Sequence, residues 1–237
     1  MHWLSLWIGG LCVVVSLIGA GPGTACAAEI SSSRTTASSP MPLDDLPKSA
    51  RDPVRVVLEH PNLHTSGPTE SFTCKPAQYY EFLEHPDRAV ALWRKLGAKC
   101  LSITDRGKGR FGWADEHGSD VHWDMVLSGP KMRVWYSEGQ VRPNAWLPTV
   151  SFQAVVILHL TETKDAEGRT TVQHQAELFI HSDSKTAALA ARLLGPSAPR
   201  LAETYIAQIQ TFFSALSWYC DQHPEALEKL DREKRSK

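Results

Sequence analysis

The chain has 237 residues, 42% of them hydrophobic and 22% charged, with 8 Trp, a formal net charge of -1 and a mean hydropathy of -0.26. This apolar content excludes an intrinsically disordered chain, the near-zero charge gives no general pull toward nucleic acid, and the hydropathy excludes a polytopic membrane protein. What remains is a soluble globular protein with one sizeable core, or at most two small ones.

The first element is a leader. Residues 1–20 are almost wholly apolar and run through Gly21-Pro22-Gly23 to Ala25-Cys26-Ala27. An apolar stretch, a helix breaker and an A-x-A triplet make a secretory signal peptide cleaved near Ala27, with residues 1–27 removed. Its n-region, Met1-His2, lacks Lys and Arg. An uncleaved membrane anchor and lipidation at Cys26 are the alternatives. The expected address is periplasmic or secreted, and membrane contact comes only through an uncleaved leader. Cys12 and Cys26 leave with the leader, and Cys74, Cys100 and Cys220 remain. Oxidising surroundings permit one disulfide. Apolar neighbours of Cys100 and Cys220 favour buried, inert thiols instead.

Residues 28–53, rich in Ser, Thr and Pro, read as a disordered linker. One domain over residues 54–223 follows, and residues 224–237 form a charged tail. Val54-Arg55-Val56-Val57-Leu58 reads as a short strand, and Ser71 to Cys74 as another. Residues 77–83 and 87–96 read as two helices parted by His85-Pro86, the second ending at Gly97. Strand signals then come in close order: residues 100–104, a turn at Arg106-Gly107-Lys108-Gly109, then 110–114, 121–127 and 132–137. Residues 150–163 and 169–182 flank Lys164-Asp165-Ala166-Glu167-Gly168 as a hairpin. Short turns between successive strands mean an antiparallel sheet. An Ala-rich helix is expected over residues 184–194. A long amphipathic helix over 199–220 has Leu201, Tyr205, Ile209, Phe212, Phe213, Leu216 and Tyr219 at three- and four-residue steps.

The expected fold is α+β, with a curved antiparallel sheet of about six to seven strands wrapped around the long C-terminal helix. A twisted sheet of this size curls, and one helix fills its concave side poorly, so an apolar cavity is expected between them. The order of elements over residues 71–219 resembles the helix-grip fold of the START and polyketide-cyclase (SRPBCC) superfamily. Local phrases carry the resemblance as well: Pro76 with Tyr80 and Leu83, then Asp87, Trp93 and Leu96-Gly97, then residues 107–113, and the final helix. None is a catalytic signature. The resemblance implies a hydrophobic small molecule or lipid held between sheet and helix. Residues 54–65 and 184–194 lie outside the pattern, as an added strand and a cap on the cavity.

The residues suited to such a ligand are aromatic and aliphatic. Trp113, Trp123 and Trp135 lie in strands, with Tyr136 and Trp146 close in sequence. Tyr205, Ile209, Phe212, Phe213 and Leu216 form the apolar stripe of the last helix. Trp113, Trp123, Trp135 and these five are the expected ligand-binding set, against ordinary core packing. If Thr163 pairs with Thr170, His159 faces His174 across the hairpin, and a one-residue slip separates them. No third ligand is evident, so no metal is expected. His122 and Asp124 share a face opposite Val121, Trp123, Met125 and Leu127, which makes their face the solvent side. Ser182-Asp183-Ser184 resembles a helix cap. No nucleophile elbow, phosphate loop, zinc-protease or dinucleotide motif is present.

Three functions fit. The first is an exported, non-enzymatic carrier or sensor of a hydrophobic molecule, with no cofactor and no nucleic acid. The second is an interaction module whose core is filled by its own side chains. The third is a cyclase- or hydrolase-type enzyme in the same cavity, with Asp124, His122, His159 and Glu177 as its candidate titrating groups.

Overall fold

The computed structural model describes residues 41–142, 149–183 and 197–228. A 3-10 turn, Leu43–Asp45, precedes helix α1, Lys48–Glu59. Strands β1 (Leu63–Ser66) and β2 (Glu70–Thr73) follow, then α2 (Pro76–Glu84) and α3 (Pro86–Lys95). Six strands come next: β3 Thr104–Asp105, β4 Arg110–Ala114, β5 Asp120–Ser128, β6 Met132–Val141, β7 Val150–Lys164 and β8 Thr170–His181. Helix α4, Ser197–Gln222, completes the order.

The eight strands make one antiparallel sheet in the order β1-β8-β7-β6-β5-β4-β3, with β2 also on β8. β1 and β2 are two halves of one edge. β1 pairs with Glu177 to Ile180 and β2 with Thr171 to His174. The break falls at Gly67-Pro68, where Gly67 N–H still donates to Ala176 O at 2.8 Å. There α4 comes so close that a Cβ on Gly67 would lie 1.8 Å from Gln210 Oε1. Gln210 Nε2 donates to Pro68 O at 2.8 Å, tying the helix to the break.

The sheet has two covered faces. On the concave face, Leu158 and Leu160 of β7 and Val172 and Ala176 of β8 pack with Tyr79 and Leu83 of α2 and Ile206 of α4. On the convex face, Val134 and Tyr136 of β6 and Val155 and Ile157 of β7 pack against Val54 and Val57 of α1. A third cluster joins the helices, with Phe82, Val90 and Leu92 against Phe212, Leu216 and Cys220. A long curved antiparallel sheet gripping one C-terminal helix is the helix-grip arrangement, and the fold is α+β.

The structure corrects the sequence reading at three places. Residues 54–58 are not a strand: they are the second half of α1, which begins inside the stretch read as linker. Ala50, Val54 and Val57 are the buried positions, at helical spacing. Their burial against the sheet outweighs the strand preference of a Val-rich run and the Pro53 inside the helix. Val57→Ala therefore costs about 2 kcal/mol, read from urea unfolding. A strand there at an uncovered sheet edge would cost under half of that.

Residues 100–104 supply only the start of β3, and β1 carried no clear sequence signal. The third correction is register. Lys164 pairs with Thr170, so Thr163 faces Thr171 and His159 faces Gln175, while His174 faces Leu160. The turn sets this: Asp165 N–H donates to Arg169 O at 3.0 Å across a three-residue loop with Gly168 at φ +76. His159 and His174 therefore point to opposite faces and share no ligand. The expected helix over 184–194, Trp146 and the leader lie outside the described residues. Residues 224–228 of the expected tail form a further helical turn.

Candidate functional site

Directly opposed residues of antiparallel strands share a face, so the register gives the concave surface row by row. Met125, Trp135 and Val156 form one row. Phe111, Trp123, Ser137 and Ala154 form the next. Trp113, Val121 and Gly139 form the last. All three predicted tryptophans thus stand on the face that α4 grips. None is buried: each is intermediate in exposure, whereas Leu158, Val172 and Ile206 on the same side are closed. Helix α4 packs on β1, β2 and β8, toward one side of the sheet, and the indole rows lie on β4, β5 and β6.

The helix residues divide. Ile209 and Phe213 are partly buried and pack on the concave cluster of β7 and β8, toward the site. Phe212 and Leu216 turn instead to α2 and α3, where Trp93 Nε1 donates to Phe212 O at 3.3 Å. Tyr205 is half-buried. Of the eight expected residues, the fold brings Trp113, Trp123, Trp135, Ile209 and Phe213 to the concave side.

Under α4 the concave face also holds a polar chain that the sequence did not reveal. His174, 1% exposed, lies between Tyr79 and Glu70. Its Nε2 is 3.1 Å from Glu70 Oε2, and Tyr79 Oη is 2.6 Å from its Nδ1. An ionised carboxylate only accepts, so Nε2 carries the proton and the Tyr79 hydroxyl donates to Nδ1. Thr211 and Ser214 of α4 donate to Glu70 at 2.8 and 3.2 Å. Burial raises the Glu70 carboxyl, but bonds from His174, Thr211 and Ser214 together outweigh it and hold it below the usual range. Burial pushes the Tyr79 hydroxyl well up. Tyr79, His174 and Glu70 are each buried and hydrogen-bonded, so the chain pins α2 and α4 to the β2–β8 edge.

The candidate titrating residues of the enzyme reading lie on the other face. His122 pairs with Glu138 at 3.1 Å and Arg110 with Asp124 at 3.1 Å, on the convex side. Glu177 accepts from His159 at 2.8 Å and from His64 at 3.2 Å. The His159 bond, offset by burial and joined by His64, holds its carboxyl low. An open groove of about 430 Å³ beside this face is lined by His122, Glu138, Gln153 and His181. None of the four candidates reaches the concave rows. Among the described residues, no group of three or more His, Cys, Asp or Glu is placed to hold a metal. Cys74 and Cys220 are buried free thiols, pushed by burial to about 12 and about 11, which makes them inert nucleophiles.

No family model matches the chain, and no curated protein matches it. Similar solved structures share its outline at low identity. A conserved protein from Geobacillus kaustophilus is 14% identical over 65% of this chain and 95% of its own, with a TM-score of 0.42. The di-domain ARO/CYC BexL of the BE-7585A biosynthetic pathway is 13% identical over 73% of this chain, with a TM-score of 0.40. The match spans 55% of the BexL chain. A truncated norcoclaurine synthase from Thalictrum flavum is 11% identical over 61% of this chain and 90% of its own, with a TM-score of 0.35.

Proposed function

We propose that the protein is an exported carrier or sensor that holds a hydrophobic small molecule or lipid on its concave face, between the sheet and α4. One observation carries the reading. Trp113, Trp123 and Trp135 stand in adjacent rows of the concave face, whose β7–β8 side is closed core, yet each keeps part of its indole uncovered. An indole contributes a large apolar area, and a contiguous half-covered set of them on a concave wall suits an apolar ligand. Helix-grip folds commonly hold such molecules. The apolar leader supports export, with cleavage near Ala27.

The test is to purify the protein natively from a periplasmic extract and record its native intact mass, then extract it with organic solvent. The expected result is a mass beginning at Ala28 and a stoichiometric apolar adduct. Trp123→Ala lowers adduct occupancy at least tenfold, while Trp218→Ala, on the exposed side of α4, leaves it unchanged. A clean apo mass with no uptake from a mixed lipid pool overturns the carrier reading.

A further inference from the structure

Arg133 is a buried cation on the concave face. It lies on the concave side of β6, two residues before Trp135 and opposite Leu158 of the concave cluster. It is 6% exposed. A guanidinium has five donors in a planar fork, and one taken out of water normally has them engaged. Here the engagement is partial. Nη1 donates to Glu84 Oε1 at 2.7 Å, and Met125 Sδ lies 3.9 Å from the same nitrogen. The Tyr80 ring covers the cation at 4.6 Å. Nε is fully buried without a partner. Nη2, on the same side of the fork, makes no hydrogen bond among the described residues. One parallel N–H edge of a buried cation is thus left open, on the face where the indoles stand.

Two features show why a head group suits this edge. Among the described residues, the carboxylate paired with Arg133 is that of Glu84, whose side chain is still 46% exposed, so the cation is only partly neutralised from outside. Met125, which shares the row of Trp135 and lies against the Arg133 guanidinium, is an unbranched thioether that shifts at little cost. The nearby Glu162 is engaged by the Tyr80 hydroxyl. We propose that an apolar molecule with a single anionic head, of carboxylate or phosphate chemistry, binds with that head on the Nε–Nη2 edge of Arg133 and its tail along the tryptophan rows. This rests on the carrier reading above. Gly139 in the last row lies six positions along β6 from Arg133, a path on the order of 20 Å, enough for an extended long acyl chain. The geometry is that of bidentate acid recognition, for which arginine is suited and lysine is not.

The experiment is a titration of the purified, delipidated protein with palmitate, hexadecyl phosphate and hexadecanol, followed by indole fluorescence and calorimetry. Either acid is expected to bind at least tenfold tighter than the alcohol, and the tighter of the two names the head group. Arg133→Gln removes that preference and leaves hexadecanol within threefold of the parent. Glu84→Gln frees the guanidinium from its carboxylate and widens the preference. Because Arg133→Gln also unpairs Glu84, each variant is checked by thermal unfolding, and Glu84→Gln stands as the second test if Arg133→Gln does not fold. Equal binding of acid and alcohol by the parent, an equal loss of both in Arg133→Gln, or a narrower preference in Glu84→Gln overturns the head-group assignment and leaves the carrier reading standing. Binding of none of the three overturns both.

Discussion

Glu70→Ala is expected to lower the stability of the protein by about 3 kcal/mol, because it strands two buried donors, on His174 and Ser214, and removes the partner of a third on Thr211. His174 Nε2–H and the Thr211 and Ser214 hydroxyls all point at this carboxylate, and His174 is 1% exposed. For a domain of this size the loss corresponds to a melting-point drop of roughly 6–12 °C. Tyr79→Phe removes only the donor to Nδ1 and costs about 1 kcal/mol, so the two variants separate the acceptor's role from the hydroxyl's. Urea unfolding monitored by circular dichroism reads both. A Glu70→Ala protein within 1 kcal/mol of the parent would show that α4 is held by apolar contacts alone.

The same carboxylate gives the protein an acid limit. Glu70 and Glu177 both titrate below the ordinary carboxylate range in the folded state. Their contribution is fully present above the unfolded value near 4.5 and is lost as pH falls through the lower folded values. Unfolding free energy is therefore expected to be insensitive to these two groups above about pH 6 and to fall steadily below about pH 5. Glu70→Gln, which cannot ionise, flattens that acid slope while lowering the plateau. A parent whose stability holds level down to pH 3 would contradict the assignment.

The second large effect is expected at Gly139. A Cβ there would meet Asp120 O at 2.4 Å and Val121 Cα at 2.7 Å, both backbone atoms of the neighbouring strand. Backbone cannot swing aside as a side chain can, so β5 and β6 must part. Gly139→Ala costs roughly 2–3 kcal/mol, at the upper end of overpacking in a well-filled site. Gly67→Ala meets the far end of Gln210 instead, a side chain that can rotate, and costs less. The pair is measured by the same unfolding series. Equal losses at both positions would show that the sheet, not the side chain, yields at Gly67.

How much of this was legible depended on whether the signal was local. The helices α2 and α3 were visible because His85-Pro86 divides them and Gly97 ends the second. Strands β4 to β8 were visible because turn residues separate them and apolar residues alternate within them. Alternation placed Trp123 on the core face, but only the register joins Trp113 and Trp135 to it, and a bulge between Met125 and Leu127 turns Leu127, expected on that same face, to the convex cluster. Helix α1 was not legible, because Val54 to Leu58 carries strand propensity and only the sheet beneath it makes a helix preferable. The facing of His159 and His174 turned on one residue in the hairpin loop, and parity carried that single slip to every position of both strands. The Glu70–His174–Tyr79 chain joins residues about a hundred positions apart in sequence. The orphaned edge of Arg133 depends on which neighbours fail to reach it. Neither leaves a mark in spacing or composition.

The divided edge of the sheet has a bearing on self-association. A stranger strand seeking to add itself to this molecule meets β1 and β2, four residues each and interrupted at Gly67-Pro68, or β3, of two residues. At the break, Gln210 already occupies the Pro68 carbonyl and Gln175 the Gly67 carbonyl. Among the described residues, neither border offers the long run of free amides and carbonyls on which intermolecular ladders nucleate. The aromatic rings of the inner wall can thereby stay half-covered without the sheet border giving other copies of the chain a seam along which to polymerise.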